Sequence, residues 1–218
     1  AVGCELMVFD ISSTTNPVYV AGRDVGGSAG GSQNSTVNNF AIISSYLYVA
    51  KIENATACSQ TAGSAVGCEL MVFDISSTTN PVYVAGRDAG GSFTGVQNLA
   101  INSVYIKNNY LYAAKAANVD TCAQKIGFAT GCELLIFDIS SSTYPNLLAG
   151  RDGGGSSGGT QTVSATAVTG QGNVLIMSKS GSNTACSQTA GSAVGCEIMI
   201  FDTSLAPVGV LSGTLTGI

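Results

Sequence analysis

The chain repeats itself every 64 residues. The tripeptide Gly-Cys-Glu begins at Gly3, Gly67, Gly131 and Gly195, with no insertion or deletion between those marks. Ala1–Asp24 is letter-for-letter Ala65–Asp88, and Thr56–Glu69 is letter-for-letter Thr184–Glu197. At such a period each repeat is one supersecondary unit that buries its apolar surface against its neighbours, as in propellers, solenoids and arrays. The chain therefore reads as one repeat domain over 1–218, divided into repeats 3–66, 67–130 and 131–194 and a partial repeat 195–218. Its first residue falls mid-repeat, at a point equivalent to Ala65, which reads as a processed product or a window on a longer array.

Within one unit the apolar residues come as short β-branched and aromatic runs between Gly, Ser, Thr and Asn clusters, the pattern of strands. Strands are predicted over Asn39–Ser44, Tyr46–Lys51, Glu69–Asp74 and Val82–Ala85. The first two are separated by Ser44-Ser45, with Asn108-Asn109 and Gly172-Asn173 as the equivalents, which suit the positive φ of a two-residue hairpin turn. Leu70 and Val72 alternate with Met71 and Phe73, so the third strand is apolar on both faces and is expected to be buried on both. Asp74–Pro81 is rich in residues that hydrogen-bond their own backbone and is predicted to turn, the Asp accepting backbone N–H groups. Pro17, Pro81, Pro145 and Pro207 all precede the last strand of a unit, which fits an edge strand whose missing N–H costs little. The expected fold is all-β: a propeller-like array of four-stranded antiparallel blades.

Leu70–Ser76 (LMVFDIS), Leu134–Ser140 (LLIFDIS) and Ile198–Ser204 (IMIFDTS) resemble the LVIVD repeat, together with Asn80–Gly86 and Tyr46–Ala50. That resemblance implies a β-propeller from a family of mostly secreted or microbial-surface proteins without a common catalytic activity. The chain departs from it in a longer loop that carries two cysteines per unit. A closed propeller has about four to eight blades. Ser212–Ile218 is too short to supply two missing strands, so closure is expected to need further repeats or several chains.

Cys58 and Cys68, Cys122 and Cys132, and Cys186 and Cys196 each have nine residues between them, in loops of Ser, Thr, Ala and Gly. Zinc sites use closer pairs, commonly with His, and this chain has no His. One disulfide per repeat is the expected use, which places the protein outside the cytoplasm, secreted or on a cell surface. Cys4 has no partner within the chain on this pattern and is expected to be unpaired or bonded to another chain. Asn34-Ser-Thr and Asn54-Ala-Thr are N-glycosylation sequons, so glycans are possible partners.

The charged residues are few, 10% of the chain with a net charge of -5, which leaves no basic footprint for nucleic acid. Mean hydropathy is positive, yet no apolar run approaches the roughly 18–20 residues that cross a bilayer. Most charges recur: Lys51, Lys115 and Lys179; Arg23, Arg87 and Arg151; and acids at the positions of Glu69, Asp74 and Asp88. Groups repeated identically in each unit read as architecture, because a catalytic site needs distinct, asymmetric environments. Lys51 and Glu69 are expected to pair across a hairpin end, and Arg87-Asp88 to bridge units. Gly-rich runs such as Asp152–Ser156 lack the Lys-Ser/Thr of a phosphate loop. The sequence therefore predicts no enzyme, cofactor or metal, but a self-associating extracellular structural protein, the building block of a surface layer or filament. The alternative is an adhesin or receptor module that binds protein or glycan through its loops, where unit two differs at Phe93, Tyr105, Lys107, Lys125 and Phe128.

Overall fold

The computed structural model describes residues 3–13, 15–27, 35–52, 56–61, 63–77, 79–92, 99–117, 119–125, 127–141, 145–155, 159, 163–189 and 192–204. Among these every regular element is a strand. The first sheet pairs β1 (Leu6–Asp10) with β2 (Val18–Arg23). The second is built from β3 (Val37–Ile43), β4 (Tyr46–Lys51), β7 (Leu70–Asp74) and β8 (Val82–Arg87), hydrogen-bonded in that order. Between β4 and β7 lies a small separate hairpin, β5 (Ser59–Thr61) with β6 (Ser64–Val66).

The third sheet repeats this plan with β9 (Ile101–Lys107), β10 (Tyr110–Lys115), β13 (Leu134–Asp138) and β14 (Asn146–Arg151), and its hairpin is β11 (Ala123–Lys125) with β12 (Phe128–Thr130). The fourth has β15 (Ala165–Gln171), β16 (Val174–Lys179) and β19 (Ile198–Asp202), with β17 (Ser187–Thr189) and β18 (Ser192–Val194) as its hairpin. All pairings are antiparallel.

The local chemistry accounts for these elements. Ser44, Asn108 and Gly172 open the tight turns with φ of 52°, 53° and 56°, a region open to Gly and tolerated by short polar residues. Ser12, Ser76, Ser140 and Ser204 each donate a backbone N–H to Oδ1 of Asp10, Asp74, Asp138 and Asp202, all at 2.8 Å, so the Asp that ends each strand sets the turn after it. The Gly of Gly-Cys-Glu is fixed by two constraints. Gly67, Gly131 and Gly195 have φ of 69°, 63° and 70°, and a Cβ there would collide with the carbonyl oxygens of Thr56, Asp120 and Thr184.

Consecutive sheets stack face to face. Leu70 and Val72 of the second sheet pack in one cluster with Leu111, Leu135 and Phe137 of the third. Their alternate neighbours Met71 and Phe73 pack on the other side, with Leu6 of the first sheet. Leu134 and Ile136 meet Leu175, Met177, Met199 and Phe201 of the fourth in the same way. The inner strands follow one another across the stack, β3 against β9 and β9 against β15.

Two features differ from the sequence reading. The stretch between paired cysteines is an ordered hairpin where only a loop was expected. The first strand of the unit starts at Val37 and carries a bulge between Val37 and Asn39.

Candidate functional site: the repeated seam and the open faces

Polar contacts at equivalent positions recur between neighbouring sheets: the Asn bridge at the second–third and third–fourth junctions, the Arg bridge at the first–second and second–third, and the hairpin Ala–Gly bond at all three. The bulge aims one side chain across the gap, a common use of the extra residue. Asn38 Nδ2 donates to the Ile101 carbonyl at 3.0 Å, and Asn102 Nδ2 donates to the Ala165 carbonyl at 2.7 Å. At the outer edge Arg23 Nε donates to the Pro81 carbonyl at 2.7 Å and Arg87 Nε to the Pro145 carbonyl at 2.9 Å. Arg87 therefore bridges units, through a carbonyl at the start of the next sheet's edge strand.

The cystine hairpins complete the seam. Ala65, Ala129 and Ala193 each donate a backbone N–H at 2.8 Å to a glycine carbonyl (Gly26, Gly90 and Gly154) in the loop that ends the preceding sheet. Within the second sheet Gln60 acts as a surrogate peptide group. Its Nε2 donates to the Gly86 carbonyl at 2.9 Å, and its Oε1 accepts from Gly86 N at 3.1 Å and from Tyr83 Oη at 2.8 Å. The hairpin thus covers an edge strand that would otherwise offer open backbone groups. Disulfides Cys58–Cys68, Cys122–Cys132 and Cys186–Cys196 tie each hairpin to its sheet.

A buried lysine sits at the centre of each seam. Lys51 Nζ donates at 3.0 Å to the Val25 carbonyl, in the loop that leaves the preceding sheet. That loop is held by acids: Asp24 Oδ1 accepts from Gly26 N at 2.9 Å and Glu5 Oε2 from Val25 N at 3.2 Å. One repeat later Asp88 Oδ1 accepts from Gly90 N at 3.0 Å and Glu69 Oε2 from Ala89 N at 3.0 Å. Burial pushes Lys51 down to about 8, against the opposing pull of Glu69 of its own sheet and of Asp24 and Glu5 of the preceding one. Burial likewise pushes Lys115 down to about 8, opposed by Glu133, Asp88, Asp120 and Glu69. Lys179 is lowered for the same reason, opposed by Asp152, Glu197 and Glu133. Lys51 and Glu69 thus attract one another as expected, and the acids of the preceding sheet share the lysine. The three lysines, with Asp24, Glu69, Asp88, Glu133 and Asp152, are buried, whereas Glu5 is half-buried and Glu197 exposed.

The two ends of the stack differ from its middle. Met7 and Phe9 of the first sheet are exposed, as are Phe40 and Ile42 of the second. At the other end Val174, Ile176, Ile198 and Ile200 are exposed on the fourth sheet. Beside the first sheet the apolar residues line a groove of about 560 Å³.

Of the remaining sequence candidates, Cys4 is a free thiol, half-buried. Asn34, Asn54 and Phe93 lie outside the described residues. Lys125 lies in β11 and Phe128 in β12. Tyr105 and Lys107 turn toward the fourth sheet. Tyr105 Oη donates to the Gly170 carbonyl at 3.0 Å, and Lys107 Nζ donates to Asn173 Oδ1 at 3.3 Å and to Thr203 Oγ1 at 2.5 Å. The open faces and the bridging role of Asn38 and Asn102 had no signal in a single repeat, since both depend on what lies alongside. No protein-family model matches the chain, and no curated protein does.

Proposed function

We propose that this chain is an extracellular structural protein, a building block of a surface layer or filament made of disulfide-stabilised propeller-type repeats. The observation that carries this reading is the seam: contacts recur between successive sheets and use different groups on the two sides, Asn and Arg side chains donating forward to the next sheet and the hairpin Ala N–H and the buried Lys donating back to the preceding one. A contact that is not self-complementary propagates until rotation closes it. The two four-stranded sheets, the Phe-Asp turns and the proline before the edge strand support reading each sheet as a blade, and the resemblance to LVIVD repeats favours a propeller arrangement. Three disulfides fit an oxidising compartment outside the cytoplasm. The recurrent charged groups are engaged in seams and turns, so the reading assigns the protein no catalysis.

A recognition role has one observation in its favour. Lys107, Asn108, Tyr110, Tyr112, Asn173, Thr203 and Ser204 line a small polar pocket of about 180 Å³, and Lys107 stands where the other units have Ile43 and Gln171. Sedimentation and electron microscopy of native material separate the two readings. Filaments or sheets of many chains are expected. Discrete single-chain particles that bind a protein or glycan saturably would overturn the structural reading in favour of the second.

A further inference from the structure

The junction between the third and fourth sheets departs from that between the second and third at two pairs of positions. In the second–third junction Ala41, Ile43 and Ile106 pack against the core cluster that contains Ile139. One repeat later the positions of Ala41 and Ile106 hold Tyr105 and Gly170, and those of Ile43 and Ile139 hold Lys107 and Thr203. The first exchange keeps the packing in balance, since a small residue with a large one becomes a large one with a small one. A Cβ at Gly170 would lie 3.0 Å from the Tyr105 ring, whose Oη donates to the Gly170 carbonyl at 3.0 Å. The second exchange does not. It replaces two apolar side chains by an ammonium and a hydroxyl, and here the polar pocket of about 180 Å³ lies between the sheets.

The pocket runs from buried to open. Tyr112, 2% exposed, is its floor, Lys107, Tyr110 and Thr203 are half-buried, and Asn173 and Ser204 are exposed at its rim. Lys107 Nζ donates to Asn173 Oδ1 and Thr203 Oγ1, both neutral oxygens, which leaves one of the three ammonium donors for a ligand. Among the described residues no acid and no Arg line the pocket. Asp202, next to it in the chain, is exposed and turned to its own turn, where Ser204 N donates to its Oδ1 at 2.8 Å. The Ser204 hydrogen bonds hold the Asp202 carboxyl low, with Lys107 a smaller cause.

One half-buried cation among hydroxyl, amide and phenol groups suits a ligand with a single negative charge, several hydroxyls and an apolar face. Dianions such as phosphate are instead met by Arg forks or nests of backbone N–H groups. Drug-sized ligands fill about 300–1,000 Å³, so this pocket admits a single ring. We infer that it binds a carboxylated sugar residue, a hexuronate. Its carboxylate sits on Lys107, its hydroxyls on Asn173, Thr203 and Ser204, and its C–H face on the amphipathic ring of Tyr110. The site goes beyond the architectural role and does not rest on it, because both of its walls belong to one chain.

Ligand-observed saturation-transfer NMR on native material tests this, since it reads a small ligand on a particle of any size. The probe is methyl β-D-glucuronide, with methyl β-D-glucoside and acetate as comparisons. Saturable binding of the glucuronide is expected in the millimolar range, with the glucoside and acetate weaker by about tenfold or more. Lys107→Ile and Lys107→Gln install the residues found at the equivalent positions, Ile43 and Gln171, so both variants are expected to fold. Each should weaken glucuronide binding by about tenfold or more. Equal binding of glucuronide and glucoside, or glucuronide binding unchanged in both variants, would overturn the site. Acetate binding as tightly as the glucuronide would overturn the sugar. Absence of saturable binding would leave Lys107 and Thr203 as a packing pair and overturn the inference. Sedimentation and microscopy report on assembly in every case, so the two readings fail separately.

Discussion

The third and fourth sheets are built from the same repeat and live in different surroundings. Leu134 and Ile136 of the third are 0% exposed, whereas Ile198 and Ile200 at the same repeat positions are 64% and 38% exposed. Lys115 is wholly buried and Lys179 slightly less so. Asn102 reaches across to the Ala165 carbonyl, but Thr166, in the equivalent bulge, bonds Ser178 Oγ of its own sheet at 2.9 Å. The strands are equally apolar in both sheets, so burial at a given position is conferred by the neighbouring sheet. This is the behaviour of a quasi-one-dimensional array, whose stability is a sum of unit terms and nearest-neighbour interface terms.

The same substitution should therefore cost different amounts in the two sheets. The largest effect is expected at the buried lysine. Lys115→Met leaves Glu133 and Asp88 without their counter-charge and should destabilise by about 3–5 kcal/mol in urea titrations. Lys179→Met, nearer the open face, should cost clearly less, and equal costs would mean that the neighbouring sheet does not matter. Next comes the apolar seam: Leu134→Ala should lose about 2–5 kcal/mol, against about 0.5 kcal/mol or less for Ile198→Ala in the dissociated chain. The seam hydrogen bond is smaller. Asn102→Ala should cost about 1 kcal/mol, and Thr166→Ala, which breaks no bond across a seam, should cost less.

The pH profile is the subtlest test. Lys51 and Lys115 have folded values of about 8 against 10.5 when exposed, so between those limits the unfolded chain binds more protons and stability rises with pH. Their penalty is fully present below pH 8. Burial pushes Tyr48 up to about 12 from 10.0, so between pH 10 and 12 the folded chain holds the extra proton and stability falls. Thermal unfolding with Cys4 alkylated should therefore show a maximum near pH 10, and a midpoint that falls steadily from pH 8 would contradict the buried lysines.

Much of one unit was legible from local chemistry. Leu70–Asp74 announced itself by being apolar on both faces, Ser44-Ser45 by its turn residues, and Asp74 by the Ser-Ser that follows. The C-x9-C spacing pointed to the disulfide of each hairpin. The hairpin itself did not show, because Ser59–Val66 (SQTAGSAV) is mostly small and polar without an apolar alternation, and its order comes from Gln60 on Gly86 and from the glycine loop of the preceding unit. The recurrence of Lys51 marked it as architectural, but its acceptor, the Val25 carbonyl, lies 26 residues upstream in another sheet. Partners across a seam lie in different units, from 26 residues apart for Lys51 and Val25 to 63 for Asn38 and Ile101, beyond the reach of periodicity within one unit.

Hydrogen exchange on the single chain compares the two sheets most directly. The amides of β10 and β13 should exchange through opening of the whole stack, and those of β16 and β19 orders of magnitude faster. Equal protection of the two sheets would contradict the claim that each sheet owes its burial to the next.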